Sequence, residues 1–261
     1  MTVRLTLLGT GTSFGVPQIG CTCGVCRSDD PRDRRSRTAA LVDRNGSTLL
    51  VDTPPELRLQ LVAAGRSQVD AVLFTHDHAD HVHGIDDLRA ISGRARRRLA
   101  AYGLPGTMAR LAGRFPYIFD ASIVPPPGTF VPELDAHALE PGLETEIAGI
   151  PVLPLAVDHG GMEVLGFRFG PVAYVTDVKR IPAEARSLLA GVRVLVLSAL
   201  FERPHPAHLS IPEALETVAA LGIEQTWLTH LTHETAHRAL EARLPPHVRP
   251  AYDGLVLEVD E

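Results

Sequence analysis

The chain is poor in cysteine and has no long apolar segment. Its 261 residues include three cysteines, too few for the disulfide framework of a small secreted domain. No apolar run approaches the ~20 residues that a membrane-spanning helix needs, and residues 1–11 lack the basic and then apolar regions of a signal peptide. The net charge of −6 argues against general binding to nucleic acids or anionic membranes. We therefore expect a cytoplasmic protein with reduced thiols and no membrane partner.

The length and composition are those of one globular α/β domain. The chain is 45% hydrophobic and 21% charged, which is ordinary for such a domain, and we expect a single domain over residues 1–261. Two local arginine runs depart from the acidic average, and each is expected to lie in a solvated loop. The runs are Arg32, Arg34, Arg35 and Arg37, and then Arg94, Arg96, Arg97 and Arg98.

Strand-like and helix-like segments alternate along the chain. Asn45-Gly46 between β-rich segments predicts a hairpin, and residues 71–75 predict a buried strand. Beyond residue 81 we expect a less regular middle, rich in proline and glycine around residues 125–128. Later strands are expected at 152–157, 165–169, 172–176, 192–197, 226–229 and 255–259, and helices at 55–64, 182–190, 211–221 and 234–243. This order predicts two sheets packed face to face with helices outside.

The three cysteines lie within six positions, in the pattern Cys21-x-Cys23-x-x-Cys26. A disulfide uses two thiols, and a closed structural zinc site needs four ligands. Either one thiol is left over, or a fourth ligand lies elsewhere in the chain. In a reducing compartment, clustered cysteines indicate a metal before a disulfide.

A second cluster of metal-binding residue types follows the predicted strand 71–75. His76, His78, Asp80 and His81 form the pattern H-x-H-x-D-H. Four such groups within six residues would be costly to bury without a partner, so a metal site is favoured over a solvated turn. One loop cannot surround two ions. The candidates for further ligands are His159, Asp177 and His230, each following an apolar run. Taken singly, each also fits a capping or hydrogen-bonded structural role.

Through "THDHADH" and the later His, Asp and His, the sequence resembles the metallo-β-lactamase superfamily. The resemblance implies an α/β fold, a four-layer αββα sandwich, with two divalent ions (Zn or Mn) in a cleft between the sheets. It implies that Asp52 orients a ligand, that Asp177 bridges the ions, and that a dinuclear metal-bound hydroxide is the nucleophile. The implied ligand sets are His76, His78 and His159 for one ion, and Asp80, His81 and His230 for the other.

Three further motifs resemble one family within the superfamily, the PhnP-type phosphodiesterases: "LGTGTSFGVPQIGCTCGVC", "RPHPAHLSIPEAL" and "LTHLTHE". The resemblance to that family runs from about residue 5 to residue 257. In that family a C-x-C-x-x-C loop and a late histidine hold a structural zinc. The late histidine lies three residues after a metal-site histidine, which here selects His233. The resemblance thus implies a zinc-binding loop at about residues 20–27, with Cys21, Cys23, Cys26 and His233 as ligands.

The same resemblance assigns a catalytic role to His208, as the donor of a proton to the leaving oxygen, and we assign Asp80 to the catalytic centre as well. An imidazole near its ordinary pKa suits general-acid catalysis at pH 7. Relatives usually carry an acid where this chain has Ser198, and that difference bears on the strength of His208 as an acid.

We therefore expect a metal-dependent phosphodiesterase that acts on small, cyclic phosphodiesters, with nucleic acid a partner only as small cyclic nucleotides. A homodimer is compatible with the sequence, and Arg89 or one of the arginine runs is a candidate to bind phosphate. The alternatives are another hydrolase of the superfamily, a tRNA 3′-processing nuclease, and a PqqB-like protein of quinone-cofactor biosynthesis. The cysteine loop argues against another hydrolase of the superfamily. The lack of an inserted basic arm argues against a tRNA nuclease, and the presence of ligands for both ions argues against a PqqB-like protein.

Overall fold

The computed structural model describes residues 1–261 and contains fourteen strands and eight α-helices. The strands are β1 (Thr2–Gly9), β2 (Ala39–Arg44), β3 (Ser47–Val51), β4 (Ala71–Leu73), β5 (Leu99–Gly103), β6 (Leu134–Ala138), β7 (Thr145–Ile147), β8 (Ile150–His159), β9 (Met162–Phe169), β10 (Val172–Val175), β11 (Val194–Ser198), β12 (Gln225–Thr229), β13 (Val248–Pro250) and β14 (Val256–Asp260). The helices are α1 (Leu57–Ala63), α2 (Ala79–Val82), α3 (Arg89–Ala95), α4 (Pro105–Arg114), α5 (Pro116–Phe119), α6 (Ala183–Leu188), α7 (Ile211–Leu221) and α8 (His237–Glu241). Two 3-10 turns cover Pro31–Asp33 and Ile85–Leu88.

The strands form two seven-stranded sheets, in the orders β14-β1-β2-β3-β4-β5-β6 and β13-β12-β11-β10-β9-β8-β7. A core of 25 buried residues fills the space between them. In β10, alternate residues Val172 and Tyr174 belong to this core, whereas Ala173 and Val175 pack on the other face of the sheet. That alternation follows from the two-residue period of a strand.

Helices cover the outer face of each sheet. A cluster of 19 buried residues joins the first sheet to the helices of the first half, and a cluster of 22 joins the second sheet to those of the second half. The predicted αββα sandwich is therefore confirmed. No helix has the length and apolarity needed to cross a membrane.

The predicted first hairpin and the predicted helix at 211–221 agree with the structure. The hairpin between β2 and β3 turns at Asn45 and Gly46, both with positive φ (52° and 86°). Helix α7 begins with a reciprocal capping box between Ser210 and Glu213, and Gly222 ends it at φ 65°. Its bounds are those expected from the sequence.

The middle of the chain is more regular than expected, since residues 79–138 hold four helices and the strands β5 and β6. The segment 120–133, which includes the proline- and glycine-rich residues 125–128, has no helix or strand, as expected. Strand β6 lies at the sheet edge with only Leu134 buried, so it carries little apolar pattern. The last predicted helix is also shorter than expected, since α8 begins at His237 and ends at Glu241.

The arginine runs are not simply solvated. Arg35 is almost completely buried, and its Nη1 donates to the carbonyl oxygen of Thr232 at 3.1 Å. Arg98 donates to Asp135 and to the backbone oxygen of Phe119, at 2.6 and 3.1 Å. Each run therefore contains arginines that fasten distant segments, a role that the sequence pattern does not distinguish from solvation.

Strand direction determines where the candidate ligands meet. Strands β3, β4 and β5 run parallel, as do β10, β11 and β12. The carboxyl ends of parallel strands lie at one edge of a sheet, where functional side chains of α/β proteins collect. Asp52, His76, Asp177 and His230 all follow such strand ends closely.

Candidate metal centre

Three residues of the cleft have a backbone conformation that is uncommon for residues other than glycine. Asp52, Asp177 and His230 have φ values of 63°, 52° and 58°. Each follows the end of a strand by one or two residues, so the chain turns sharply as it leaves the sheet. Left-handed backbone of this kind costs free energy and concentrates at functional sites, which fits a region whose side chains are aimed at a common point.

His76, His78 and His159 form the first group of possible ligands. One ligand atom from each lies within 4.8 Å of the others. His76 Nδ1 lies 3.0 Å from Thr75 Oγ1, and His159 Nδ1 donates to the carbonyl oxygen of Ala207 at 2.8 Å. These bonds leave the Nε2 lone pairs of His76 and His159 free to bind a cation, and His76 Nε2 is buried with no partner.

Asp80, His81 and His230 form the second group, again with ligand atoms within 4.8 Å of one another. His81 Nδ1 donates to Asp52 Oδ2 at 2.7 Å, which directs its Nε2 toward the cleft. That Nε2 and both ring nitrogens of His230 are buried without a hydrogen-bond partner. Because unpaired buried nitrogens are costly, the group is suited to a bound cation.

Asp177 lies between the two groups. Its Oδ2 is 3.2 Å from His81 Nε2, and its Oδ1 is 3.2 Å from His230 Nε2. A carboxylate oxygen of Asp177 also lies within 4.8 Å of ligand atoms of His76 and His81, and within the same distance of ligand atoms of His159 and His208. A buried carboxylate placed in this way can contact ions held by either group.

The electrostatics of the cleft differ between Asp177 with His81 and the other histidines. Although burial acts in the opposite direction, the imidazoles of His230 and His81 hold the pKa of Asp177 well below its usual range. Burial likewise opposes the charging of His81, but Asp177 and Asp52 raise its pKa well above 6.5. His76 differs, because burial and then the charge on His81 lower its pKa. A proton on His81 thus supplies the positive charge next to Asp177 that a bound metal ion would otherwise supply.

The nitrogen and oxygen donors of both ligand groups suit zinc, manganese or iron.

Asp52 supports both ligand groups from behind. It is fully buried and accepts from Thr75 N at 2.9 Å, from Thr75 Oγ1 at 2.8 Å, and from His81 Nδ1 at 2.7 Å. Since Thr75 Oγ1 donates to Asp52, it can accept from His76 Nδ1. One carboxylate therefore fixes the ring orientation of His81 directly and that of His76 through a hydroxyl.

The cysteine loop meets a histidine from the far end of the chain. The ligand atoms of Cys21, Cys23, Cys26 and His233 lie within 4.8 Å of one another. His233 Nδ1 is 3.3 Å from the sulfurs of both Cys21 and Cys23. Zinc–sulfur and zinc–nitrogen bonds of about 2.3 and 2.0 Å place tetrahedral ligand atoms about 3.5 Å apart, so the four side chains fit a zinc ion.

The two clusters share one short segment. His230 and His233 both follow β12, and Leu231 between them donates its N–H to the carbonyl oxygen of Thr10 at 3.0 Å. The buried Arg35 side chain donates a hydrogen bond to the carbonyl oxygen of Thr232, the residue after Leu231. The N-terminal loop is thereby fastened beside the cleft independently of the cysteines.

His208 lies at the edge of the cleft, on the loop between β11 and α7. Its ring stacks on that of His230 with centroids 4.7 Å apart, and its Nδ1 lies 3.8 Å from Asp177 Oδ1. Burial and then the neighbouring His230 lower the pKa of His208 to about 3, which differs from the near-ordinary pKa that we expected. Ser198 Oγ accepts from Val178 N at 3.2 Å and has no hydrogen bond to His208.

A set of charged residues that was not expected from the sequence lies behind the ligand loop. Asp77 is buried between the flanking histidines, and its carboxylate accepts from Arg110 and Arg114 at 2.8 and 2.7 Å. The two arginines are four positions apart, so they lie on one face of α4. That spacing, together with an acid inside H-x-H-x-D-H, was the available indication of this contact.

Comparison with known proteins identifies the superfamily. Residues 47–231 match the family model described as the beta-lactamase superfamily domain. A crystal structure described as a new diphosphatase from the PhnP family is 37% identical, with a TM-score of 0.91, covering 99% of this chain and 98% of that one. Zinc-bound PqqB from Methylobacterium extorquens shares the fold, with a TM-score of 0.78 at 20% identity, over 97% of this chain and 99% of that one.

Curated relatives carry several different names. An octanoyltransferase of Porphyromonas gingivalis is 39% identical over 99% of this chain, but the match covers 52% of that protein. The chain thus spans about half the length of that relative. A coenzyme PQQ synthesis protein B of Methylorubrum populi is 25% identical, over 74% of this chain and 72% of its own length.

Proposed function

Given that the chain belongs to the PhnP family of the metallo-β-lactamase superfamily, we propose that it hydrolyses small phosphodiesters, cyclic ones among them, in the metal-dependent manner of this hydrolase fold. The observation that carries the proposal is the position of Asp177 between two groups of possible ligands, three of whose histidines have buried, unpartnered Nε2 atoms. When bound there, two divalent ions would lower the pKa of a water molecule and offset negative charge on the phosphoryl oxygens.

The protein side chains have separate tasks in this proposal. His76, His78 and His159 would hold one ion, Asp80, His81 and His230 would hold the other, and the Asp177 carboxylate lies where it could serve both. Asp52 and Thr75 keep the ligand rings oriented, with protons on Nδ1 and lone pairs on Nε2.

His208 donates the proton that the leaving oxygen takes up. In the free protein its ring is neutral at pH 7, because burial lowers its pKa. A phosphodiester brings a negative charge next to this ring, and a nearby opposite charge favours the imidazolium. The substrate itself therefore promotes charging of its proton donor. Ser198 does not hydrogen-bond to the ring, so that charging depends on the occupants of the cleft.

The substrate class is testable with a panel of esters. We expect hydrolysis of bis(p-nitrophenyl) phosphate and of cyclic nucleotides, and little hydrolysis of p-nitrophenyl phosphate. After chelation, manganese or zinc should restore the hydrolytic activity. Since the solved relative at 37% identity is described as a diphosphatase, the panel includes a diphosphate diester. Hydrolysis of a glutathione thioester or a β-lactam, with no phosphorus ester cleaved, would contradict the proposal.

The names of the other relatives give no better candidate. The octanoyltransferase name belongs to a protein of which about half lies outside the match. The PqqB relatives are described as proteins of coenzyme PQQ synthesis, and the complete set of candidate ligands for two ions favours a hydrolase over that role. The panel decides this point as well.

A further inference from the structure

A second histidine stands beside His208 at the edge of the cleft. His205 lies on the same loop, with its ring centroid 5.1 Å from that of His208. Both histidines are half-buried, so each ring keeps some exposed surface. The two rings therefore form a pair that a substrate in the cleft could contact.

The loop holds the His205 ring in a defined position. Pro204 and Pro206 flank His205 and restrict the backbone on both sides. The edge of the Phe201 ring packs against His205 at 5.8 Å, and Arg203 lies over that ring at 4.1 Å. Arg203 is in turn held by Glu234 through two bonds of 2.8 Å. The ring is thus positioned before any ligand binds.

The hydrogen bonding of the loop determines which nitrogen of His205 carries the proton. The backbone N–H of Ala207 donates to His205 Nδ1 at 3.2 Å, so Nδ1 must hold a lone pair. The neutral ring therefore carries its proton on Nε2. No residue of the protein accepts a hydrogen bond from Nε2. Ala207 also accepts from His159 Nδ1 at 2.8 Å, which ties the loop to a candidate metal ligand.

From this arrangement we propose that His205 binds the substrate, by donating its Nε2–H to a non-bridging oxygen of the phosphoryl group. The inference rests on the proposed function, because it needs a phosphoryl group in the cleft. His205 and His208 then have different tasks. The first donates a hydrogen bond and keeps its proton, and the second gives its proton to the leaving oxygen.

The two histidines are distinguishable by leaving group. Loss of the His205 hydrogen bond affects every substrate alike, because the non-bridging oxygens are common to all of them. Loss of His208 affects alkoxide leaving groups most, since p-nitrophenolate departs without a proton. We expect His205→Ala to lower kcat/KM equally for bis(p-nitrophenyl) phosphate and a cyclic nucleotide.

The test is calorimetric binding of inorganic phosphate to the zinc-loaded protein, with metal content measured for each variant. We expect His205→Ala to weaken phosphate binding by about 10–100-fold, as for one hydrogen bond to a charged group, while the zinc content stays unchanged. His205→Gln, whose amide reaches the position of Nε2, should recover most of the affinity, and His205→Asn should not. His247→Ala, at an exposed histidine before β13, is the matched control.

Each result decides the inference. Unchanged phosphate affinity in His205→Ala, or a loss that accompanies loss of zinc, would overturn it, and so would a wild-type protein that binds no phosphate. If the alanine variant fails to fold, the difference between the Gln and Asn variants gives the answer. A wild-type protein that binds phosphate through His205 but cleaves no phosphorus ester would refute the proposed function and leave this inference standing.

Discussion

Replacement of Asp52 by asparagine should weaken metal binding without unfolding the protein. In the wild type, Asp52 accepts three hydrogen bonds, from Thr75 N, Thr75 Oγ1 and His81 Nδ1. Asparagine tolerates the left-handed backbone at this position, and its oxygen can still accept from Thr75 N. Its NH2 group, however, faces His81 Nδ1, which must then become an acceptor.

The consequence is a change of tautomer at His81. Its proton moves to Nε2, the atom that lies 3.2 Å from Asp177 Oδ2 and 3.5 Å from Asp80 Oδ2. A protonated Nε2 cannot bind a metal ion. Loss of such an orienting partner usually costs 10–100-fold in metal affinity, or about 1.4–2.7 kcal/mol. We expect a loss of this size for the ion that His81 serves.

Competition between the protein and a chromogenic chelator, titrated with zinc or manganese, measures this loss. Asp43→Asn is the matched control, because Asp43 accepts a hydrogen bond of 2.6 Å from Thr48 at the opposite end of the same strand pair. Thermal unfolding of the metal-free variants checks the fold. Wild-type affinity for both cleft ions in Asp52→Asn would refute the argument that Asp52 sets the His81 tautomer.

Two further predictions concern the cysteine loop and the proton donor. Cys23→Ser should lower bound zinc by one ion per chain and lower the unfolding temperature, because structural zinc contributes directly to folding free energy; unchanged metal content would exclude a zinc site there. His208→Ala should keep all cleft metal and lose about 10²–10⁴ in rate on cyclic nucleotides, with a smaller loss on bis(p-nitrophenyl) phosphate; equal losses on both substrates, or a lost ion, would make His208 a structural or metal-binding residue.

The fold and the candidate ligands were predictable from the sequence where apolar runs end in polar groups. "AVLFT" before His76 and "TWLT" before His230 indicate buried strands by their composition alone, and parallel strands bring their ends to one edge. The Asn45-Gly46 turn made the first hairpin predictable, because turn chemistry acts locally.

The contacts that depend on tertiary packing were not predictable. Arg35 stands in the same arginine run as the exposed Arg34, and its burial goes with a hydrogen bond to a residue 197 positions away. Strand β5 has only five residues, most of them small, so its sequence shows no clear apolar period. Its strand conformation depends on parallel pairing with β4 and β6. The pKa of His208 likewise reflects burial by segments that are distant in sequence.

The central claim is that a pair of ions between the sheets makes this chain a phosphodiesterase. Its most direct test starts from protein that retains zinc at the cysteine loop but has lost the cleft ions to mild chelation. The initial rate of bis(p-nitrophenyl) phosphate hydrolysis is then measured against equivalents of added manganese or zinc. We predict no hydrolysis at the start and a rate that rises to a plateau at two equivalents per chain. A rate that is independent of added metal, or no hydrolysis at any loading, would contradict the claim.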